Sequence, residues 1–576
     1  MTSTNNNMKR LSSENKEKVV TKHTEVLTAN IESCFKPNPT YYPHPITSKG
    51  ANKFNNGTRL RPLKELEDRL QNMTPFEDMN IQPKFIIHWF RSDLRISDNT
   101  GFSNAIKYCE VLNDKNNHEV ELQTIYVVNE NDWLAHLEGK RKLALLYQAL
   151  KELKTRLDTL AIPLVLLIYP SQSKHLSSSS KFAQWLIAEL NKITNNAPFL
   201  LTANIQYEYD ELTRDNKILN NLPQSCSFEL FHDTCIVKPG ILFSQNNRVY
   251  QKFTPWYRRW CQYLDKNSDE KQVFQLLNVT HNKYNKDFTP INWDYSLSYE
   301  FQDNSTVQPD VSEKYVDQLI DMFLSKDVNR YICDKDYLTS DCTSHLGVYL
   351  ALGIVSPRVL LNKCFKNNGY HILMNTKNPK RNPVEEYMRQ LAWRDFYKHA
   401  LCQWPYMSMD VPFNLSTIGL KWETDIHNFQ KWCNGQTGFP IIDAIMRQLY
   451  QTGFICNRSR MITASFLSKN LLINWQWGER WFRLQLTDYD LISNVCGWGY
   501  CSSTGIDCQP YFRIFNIETQ AKKYDPDGEY IKRWVPELRG VTNIHNLKNY
   551  PDEYAQKMID LNESRKRFLS TFREIM

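Results

Sequence analysis

The sequence predicts two domains of different class: a Rossmann-like α/β domain on a parallel sheet, then an all-helical domain. Three observations carry this. At 576 residues the chain exceeds what a single hydrophobic core supports. Between residues 85 and 237, continuous apolar runs alternate with amphipathic stretches, as in βα units whose sheet is covered on both faces. After Ser312 apolar residues recur at helical spacing to the C-terminus. With 15 Trp, 30 Tyr and 28 Phe, both domains have the side chains to fill large cores.

Residues 1–80 have little sustained apolar pattern and read as a disordered extension, apart from a short helix near residues 63–70. Within it, Lys9 and Arg10 with Lys16 and Lys18 suit a nuclear address, or equally a solvated tail. Glu14, Glu17 and Glu25 argue against a mitochondrial presequence, since those are poor in acid. The nucleus is the expected location, with a mitochondrial share second. The α/β domain is placed at 81–240. Its strands are FIIHWF (85–90), LQTIYVV (122–128), PLVLLIY (163–169), FLLTANIQY (199–207) and SFELFHDTCIV (227–237), with helices near 140–157, 182–190 and 211–219. The first strand runs into RSDLRISDN instead of a glycine-rich loop, which removes the usual argument for a dinucleotide at the first helix N-terminus. Residues 241–315 collect Asn, Asp, Ser and Pro and read as an interdomain linker. Residues 316–576 form the helical domain. There Pro440 stands at a first helical position, apolar residues follow at helical spacing, Gly453 stops the helix, and a second starts near Asn457.

The net charge of +7 is modest for the length and suits an anionic partner only if the cations cluster. Fourteen Cys without a CxxC pair or a signal peptide indicate reduced thiols in an intracellular compartment. Cys496, Cys501 and Cys508 lack metal-ligand spacing, so no metal is expected. No apolar run reaches the roughly 20 residues of a membrane span, so a soluble protein without a membrane partner is expected.

The chemistry concentrates between Pro440 and Gly505. On the second helix Asn457, Arg460, Met461 and Ala464 share a face, with Arg458 beside Met461. That surface suits an anionic or heteroaromatic ligand, although a helix whose Arg pairs a nearby carboxylate is the commoner explanation. Asp488 and Asp490 are two apart, a spacing typical of turn capping, and take a buried role only if Arg460 is a partner. Asn494 and Trp498 lie one turn apart.

The blocks WFRSDLRISDN (89–99), TSHLGVYLALGIVSPR (343–358), WRDFYKH (393–399), TGFPIIDAIMRQL (437–449), NRSRMITASFLSKNLL (457–472) and SSTGIDCQPYFRIFN (502–516) resemble the photolyase/cryptochrome family. They are most similar to class I cyclobutane pyrimidine dimer photolyases of fungal type, over residues 85–538. The resemblance implies light-dependent repair of UV-damaged DNA by a monomer. A light-excited reduced FAD, held in the helical domain, would pass an electron to a flipped-out dimer and recover it after the ring splits. Tyr331, Thr343 and Ser344 match ribityl and phosphate contacts. Arg394, Arg460, Asp488, Asp490 and Asn494 match the polar shell, Asn494 near flavin N5. Trp498, Trp475 and Trp432 match a chain that carries an electron from the surface to the flavin. Gln390, Trp393, Asn457, Arg458, Met461 and Tyr500 match the dimer pocket, and Asn457 and Met461 favour cyclobutane dimers over six-four lesions. Gln390 and Asn494 would act in catalysis alongside the three Trp. His136 and Glu211 match contacts to a 5,10-methenyltetrahydrofolate antenna, while Asp210, Ser408 and Met409 depart from the bacterial pattern.

Other departures sit close to the chemistry. Gln390 replaces a Glu that bonds the dimer, which implies slower repair. Gly347 replaces a Ser of the phosphate loop, and Phe454 a Trp. Tyr489 and Cys496 replace Gly beside the flavin, with strain expected if either needs a positive φ. A cryptochrome-like photosensor, or a non-catalytic binder of DNA damage, is the competing expectation.

Overall fold

The computed structural model describes residues 30–35, 46–73, 82–116, 120–170, 179–267, 291–293, 309–369, 382–545 and 550–575. Five parallel strands form one sheet in the order β3-β2-β1-β4-β5: β1 Phe85–Phe90, β2 Glu121–Val128, β3 Leu164–Ile168, β4 Phe199–Asn204 and β5 Ser227–Phe231. β1 lies at the centre, with Ile87 in register with Gln123 on one side and Leu201 on the other. Every residue of β4 is buried, as a strand covered on both faces requires. The covering helices include Lys140–Thr159, Ser179–Ile193 and Tyr209–Asn221, where the pattern places them. A helix at Thr100–Asn116 was not anticipated.

The RSDLR segment after β1 is a docking loop. Leu94 N donates to Leu352 O at 3.3 Å and Arg95 Nη1 donates to Gly353 O at 3.1 Å. Gly353 has φ +72 and a Cβ there would lie 2.1 Å from Ser92 O, so only glycine lets the two domains approach this closely. Arg95 and Arg358 share the buried carboxylate of Asp233. Although burial alone would raise it, these two guanidinium groups hold the Asp233 carboxyl well below the usual range. The residues that replace a phosphate loop therefore bind the other domain.

Two predicted stretches without structure need correction. Within residues 1–80 the helix expected near residues 63–70 is present as Pro62–Asn72, and a further, unexpected helix runs at Ser48–Asn55. They strap both domains: Arg61 Nε donates to Gln403 O at 2.8 Å, and Asn216 Nδ2 donates to Pro62 O at 3.2 Å. Ala51, Phe54, Leu63 and Leu66 are buried, and in the first helix two apolar residues are too short a pattern to register against polar flanks. Within the predicted linker, Phe253–Asn267 is a helix that buries Phe253, Trp256, Tyr257, Trp260, Cys261 and Leu264. That spacing is a helical stripe and was legible. The nuclear-address residues and the N-terminal acids lie outside the described residues.

In the helical domain Pro440 occupies the first turn of Pro440–Thr452, and Gly453 ends it in the left-handed conformation at φ 70. Asn457–Ser465 follows and continues into a π-turn, Phe466–Asn470. Among the described residues no helix is long and apolar enough to cross a membrane. All fourteen cysteines are free thiols.

Candidate functional site

Three helices bring the polar residues together: Pro383–Gln403, Asn457–Ser465 and Leu491–Ser502. Arg460 Nη2 donates to both carboxylate oxygens of Asp488, at 2.9 and 2.8 Å, while its Nε donates to Ile455 O. Asp490 is the N-cap of Leu491–Ser502 and accepts from Ser493 N at 3.0 Å, the capping role that its spacing predicts. Its second oxygen accepts from Lys398 Nζ at 3.3 Å. Burial opposes ionisation of Asp490, but Lys398 and Arg394 outweigh it and hold the carboxyl well below its ordinary value. The same pairing overcomes burial at Lys398 and raises its ammonium to about 12.

Asn494 and Trp498 both point onto the helix Trp475–Gln485. Asn494 Nδ2 donates to Glu479 O at 3.0 Å and Glu479 Oε1 at 2.9 Å. Trp498 lies against Gly478, where a Cβ would sit 2.1 Å from the indole. Glu479, held by Arg483 Nε at 2.8 Å, was missed by sequence reading, and nothing in its spacing could have revealed it.

Tyr387 Oη donates to Ser344 Oγ at 3.1 Å and packs edge-on against Tyr331, 5.6 Å between centroids. Thr343 lies next to His345 in the same loop. A Cβ on Gly347 would lie 2.7 Å from Asp488 Oδ2. The missing hydroxyl at 347 thus goes with the position of Asp488.

The predicted lesion-pocket residues come from the same helices but do not form one bonded set. Trp393 stacks on Phe253 at 3.6 Å with 6° between planes, so the missed helix braces it. Gln390 Nε2 donates to Glu386 O at 3.4 Å, and Asn457 Nδ2 reaches Met461 Sδ at 3.7 Å. Tyr500 is half-buried. Arg458 leaves Met461 and pairs with Asp336 at 2.6 Å, its guanidinium over Tyr524.

Trp498 and Trp432 meet edge-on at 6.1 Å, with Phe482 against both. Trp475 begins its helix in the same buried cluster. Trp432 is fully buried. Neither Tyr489 nor Cys496 has a positive φ, so the strain expected there is absent. Burial pushes the Cys496 thiol well up. Phe454 packs 5.2 Å from His345.

A cavity opens between the domains, lined by His136, Glu211, Ser408 and Tyr489 and continuous with Arg394, Lys398 and Asp490 of the polar site. Met409 is buried outside it. Glu211 keeps a buried oxygen, Oε2, without a hydrogen-bond partner. Burial, then Glu208, pushes its carboxyl up to about 7. Burial and Glu211 raise Asp210, which lies 3.4 Å from His136 Nε2, and burial lowers the His136 imidazole.

Comparisons with known proteins agree with this arrangement. Residues 86–273 match the family DNA photolyase, and residues 387–574 match the FAD binding domain of DNA photolyase. The mitochondrial deoxyribodipyrimidine photo-lyase of Saccharomyces cerevisiae is 41% identical over 555 residues, covering 95% of this chain and 96% of the relative. The deoxyribodipyrimidine photo-lyase of Neurospora crassa is 32% identical over 529 residues, 88% of this chain and 82% of its own. The crystal structure of a class III photolyase from Agrobacterium tumefaciens superposes with a TM-score of 0.68 at 26% identity, covering 86% of this chain and 99% of that one. The α/β sheet, the helical site and these matches together make the chain a member of the DNA photolyase family.

Proposed function

We propose that the protein repairs UV-damaged DNA by light-dependent splitting of cyclobutane pyrimidine dimers, as a deoxyribodipyrimidine photo-lyase using FAD. The carrying observation is the Asn494 amide: both its N–H bonds go to Glu479, and what it has left to offer is a carbonyl oxygen. An acceptor suits a flavin that carries a proton at N5, as the reduced, electron-donating form does. The rest of the shell fits the same group. Arg394 and Arg460 supply donors and Asp488 and Asp490 acceptors for the ring edge, while Tyr331, Thr343 and Ser344 offer hydroxyls for the ribityl and phosphate part. When bound, FAD supplies the light absorption and the electron.

The chain's own residues then have definable tasks. The Arg460–Asp488 and Lys398–Asp490 pairs set fixed charges without reorganisation, which is how a preorganised site stabilises transient charge. Gln390, Trp393, Asn457, Arg458, Met461 and Tyr500 would receive the flipped dimer, Trp393 as a stacking wall braced by Phe253. A Gln at 390 donates and accepts a hydrogen bond but carries no charge, so repair is expected to be slower than with Glu. Trp498, Trp475 and Trp432 would conduct electrons to the cofactor.

The interdomain cavity suits an antenna, and 5,10-methenyltetrahydrofolate is our assignment. The unpartnered Glu211 oxygen, with His136 beside it, offers an acceptor to the amino group of a pterin. Mitochondrial residence is favoured by the name of the yeast relative, with a nuclear share resting on Lys9 and Arg10. We expect a monomer.

The test is dimer loss from irradiated DNA mixed with photoreduced protein, in blue light against darkness. Light-dependent loss supports repair. FAD-loaded protein without such loss would favour a photosensor or a passive damage binder, the reading to which Gln390 and Cys496 point.

A further inference from the structure

The helix Trp475–Gln485 carries a buried ion pair beside the polar site. Glu479 and Arg483 lie one turn apart, and Arg483 Nε donates to both carboxylate oxygens of Glu479 at 2.8 Å. Their side chains are 1% and 2% exposed. A pair buried this deeply returns little net stability, because desolvating two charges costs about as much as their attraction gives back. Packing alone therefore does not account for it. Arg483 also borders the interdomain cavity, whose wall it shares with Arg394 and Asp490.

The pair ends on the Asn494 amide. Asn494 Nδ2 donates to Glu479 Oε1 at 2.9 Å and to Glu479 O at 3.0 Å, which leaves the amide its carbonyl oxygen. A carboxylate can only accept, whereas a protonated carboxyl also donates and competes for that oxygen. The charge on Glu479 therefore decides how strongly the amide is polarised and how firmly it keeps its orientation. Burial raises the Glu479 carboxyl, and Arg483 is the largest influence against it. Asp410 acts in the same sense as burial and Arg480 in the opposite sense, but these two are bonded to each other at 2.7 Å. Cys34 faces the group as a thiol that burial keeps protonated. Without Arg483, burial has no full counterweight and the carboxyl takes up a proton.

We propose that Arg483 is a positioning residue of the flavin site: by keeping Glu479 a carboxylate, it holds the Asn494 carbonyl as an acceptor for the N5–H of reduced flavin. Arg483 itself touches neither flavin nor DNA, and no proton or electron passes through it. Its loss removes one positive charge and, through the proton taken up by Glu479, one negative charge. The net charge of the site stays the same, so the effect is confined to the amide. This rests on the flavin reading above, but not on repair.

The test uses full-length, FAD-loaded protein and two readouts other than activity. In Arg483→Met the ratio of reduced to oxidised flavin at a fixed potential should fall about tenfold, a midpoint about 30 mV lower for two electrons, as a charge-assisted bond becomes a neutral one. Arg483→Lys keeps the cation and should recover most of the shift. Adding Glu479→Gln to Arg483→Met should leave the midpoint where it is, because Glu479 is already neutral there. Infrared spectra near neutral pH should show a protonated carboxyl in Arg483→Met that is absent from the parent and from the double variant. Lys behaving like Met, or Arg483→Met without the carboxyl band, overturns the role of Arg483. A carboxyl band with an unshifted midpoint overturns it at the flavin instead, since the amide then does not face N5. Parent protein that takes up no FAD would sink the flavin reading itself, before any variant is compared.

Discussion

In the helical domain Asp488 is gripped twice by Arg460 and Asp490 by Lys398, whereas on the α/β side of the cavity that Lys398 and Asp490 also line, Glu211 keeps a buried oxygen with no partner. Burial acts on both groups alike, and the cations decide the outcome. Lys398 and Arg394 overcome it and keep Asp490 ionised, while Glu211 rises to about 7. One region is built of fixed charges and the other of groups that can exchange a proton near neutrality. The first suits a site where charge must move without reorganisation, and the second suits hydrogen bonding to a neutral heteroaromatic ring.

The largest effect should come from breaking a pair. Arg460→Ala leaves the Asp488 carboxylate mostly buried without its cation, a loss on the order of 3 kcal/mol. We expect FAD retention to fall by about a hundredfold, read as flavin absorbance per protein after purification. Stoichiometric FAD in the variant would show that the pair does not hold the cofactor site together. Next comes Gly347→Ser. Restoring the family hydroxyl places a Cβ 2.7 Å from Asp488 Oδ2, and overpacking of this kind costs about 1–3 kcal/mol. The variant should bind FAD more weakly and melt earlier, while tighter FAD would mean that Asp488 moves aside freely.

The titrating side of the comparison is tested at Glu211. Its carboxyl rises from 4.5 to about 7 on folding, so between those values the folded state binds more protons than the unfolded. Stability contributed by this group is therefore full below pH 4.5 and falls as pH rises through 7. Glu211→Gln removes the titration. The variant should match the parent near pH 5 and exceed it by about 2–3 kcal/mol near pH 8, measured by urea unfolding. A parent whose stability is flat across that range would contradict the unpaired state of Glu211.

The same contrast explains what could be read in the sequence. Apolar runs disclosed the five strands, and Pro440 with Gly453 disclosed a helix, because these signals are local. Residues of the polar shell were identified through motif blocks, and the Arg460–Asp488 pair was anticipated as a condition for burying Asp488. Glu479 was invisible, since its link to Asn494 spans fifteen residues and depends on two helices packing. The bond from Arg480 Nη1 to Cys34 O was invisible too: its partners are 446 residues apart, and the segment that supplies Cys34 is too polar to announce itself. The Phe253–Asn267 helix is the exception, a clear stripe obscured by polar flanks.

The smallest effect is expected where a pair is most exposed. Arg458 and Asp336 meet at 2.6 Å with side chains 19% and 32% exposed, so water screens them in a way it does not screen Lys398 and Asp490. The pair is worth about 0.5 kcal/mol, and the Tyr524 ring 4.6 Å below the guanidinium keeps Arg458 in place when the carboxylate is gone. Asp336→Asn therefore frees a positive charge without moving it. Dimer-containing DNA should bind about twofold tighter, with a slightly steeper dependence on salt, because Arg458 no longer has to leave a carboxylate for a phosphate. Binding measured over a salt series decides the matter. If Asp336→Asn instead weakens binding by about tenfold, Asp336 orients Arg458 for the lesion, and an exposed pair counts for as much here as the buried ones.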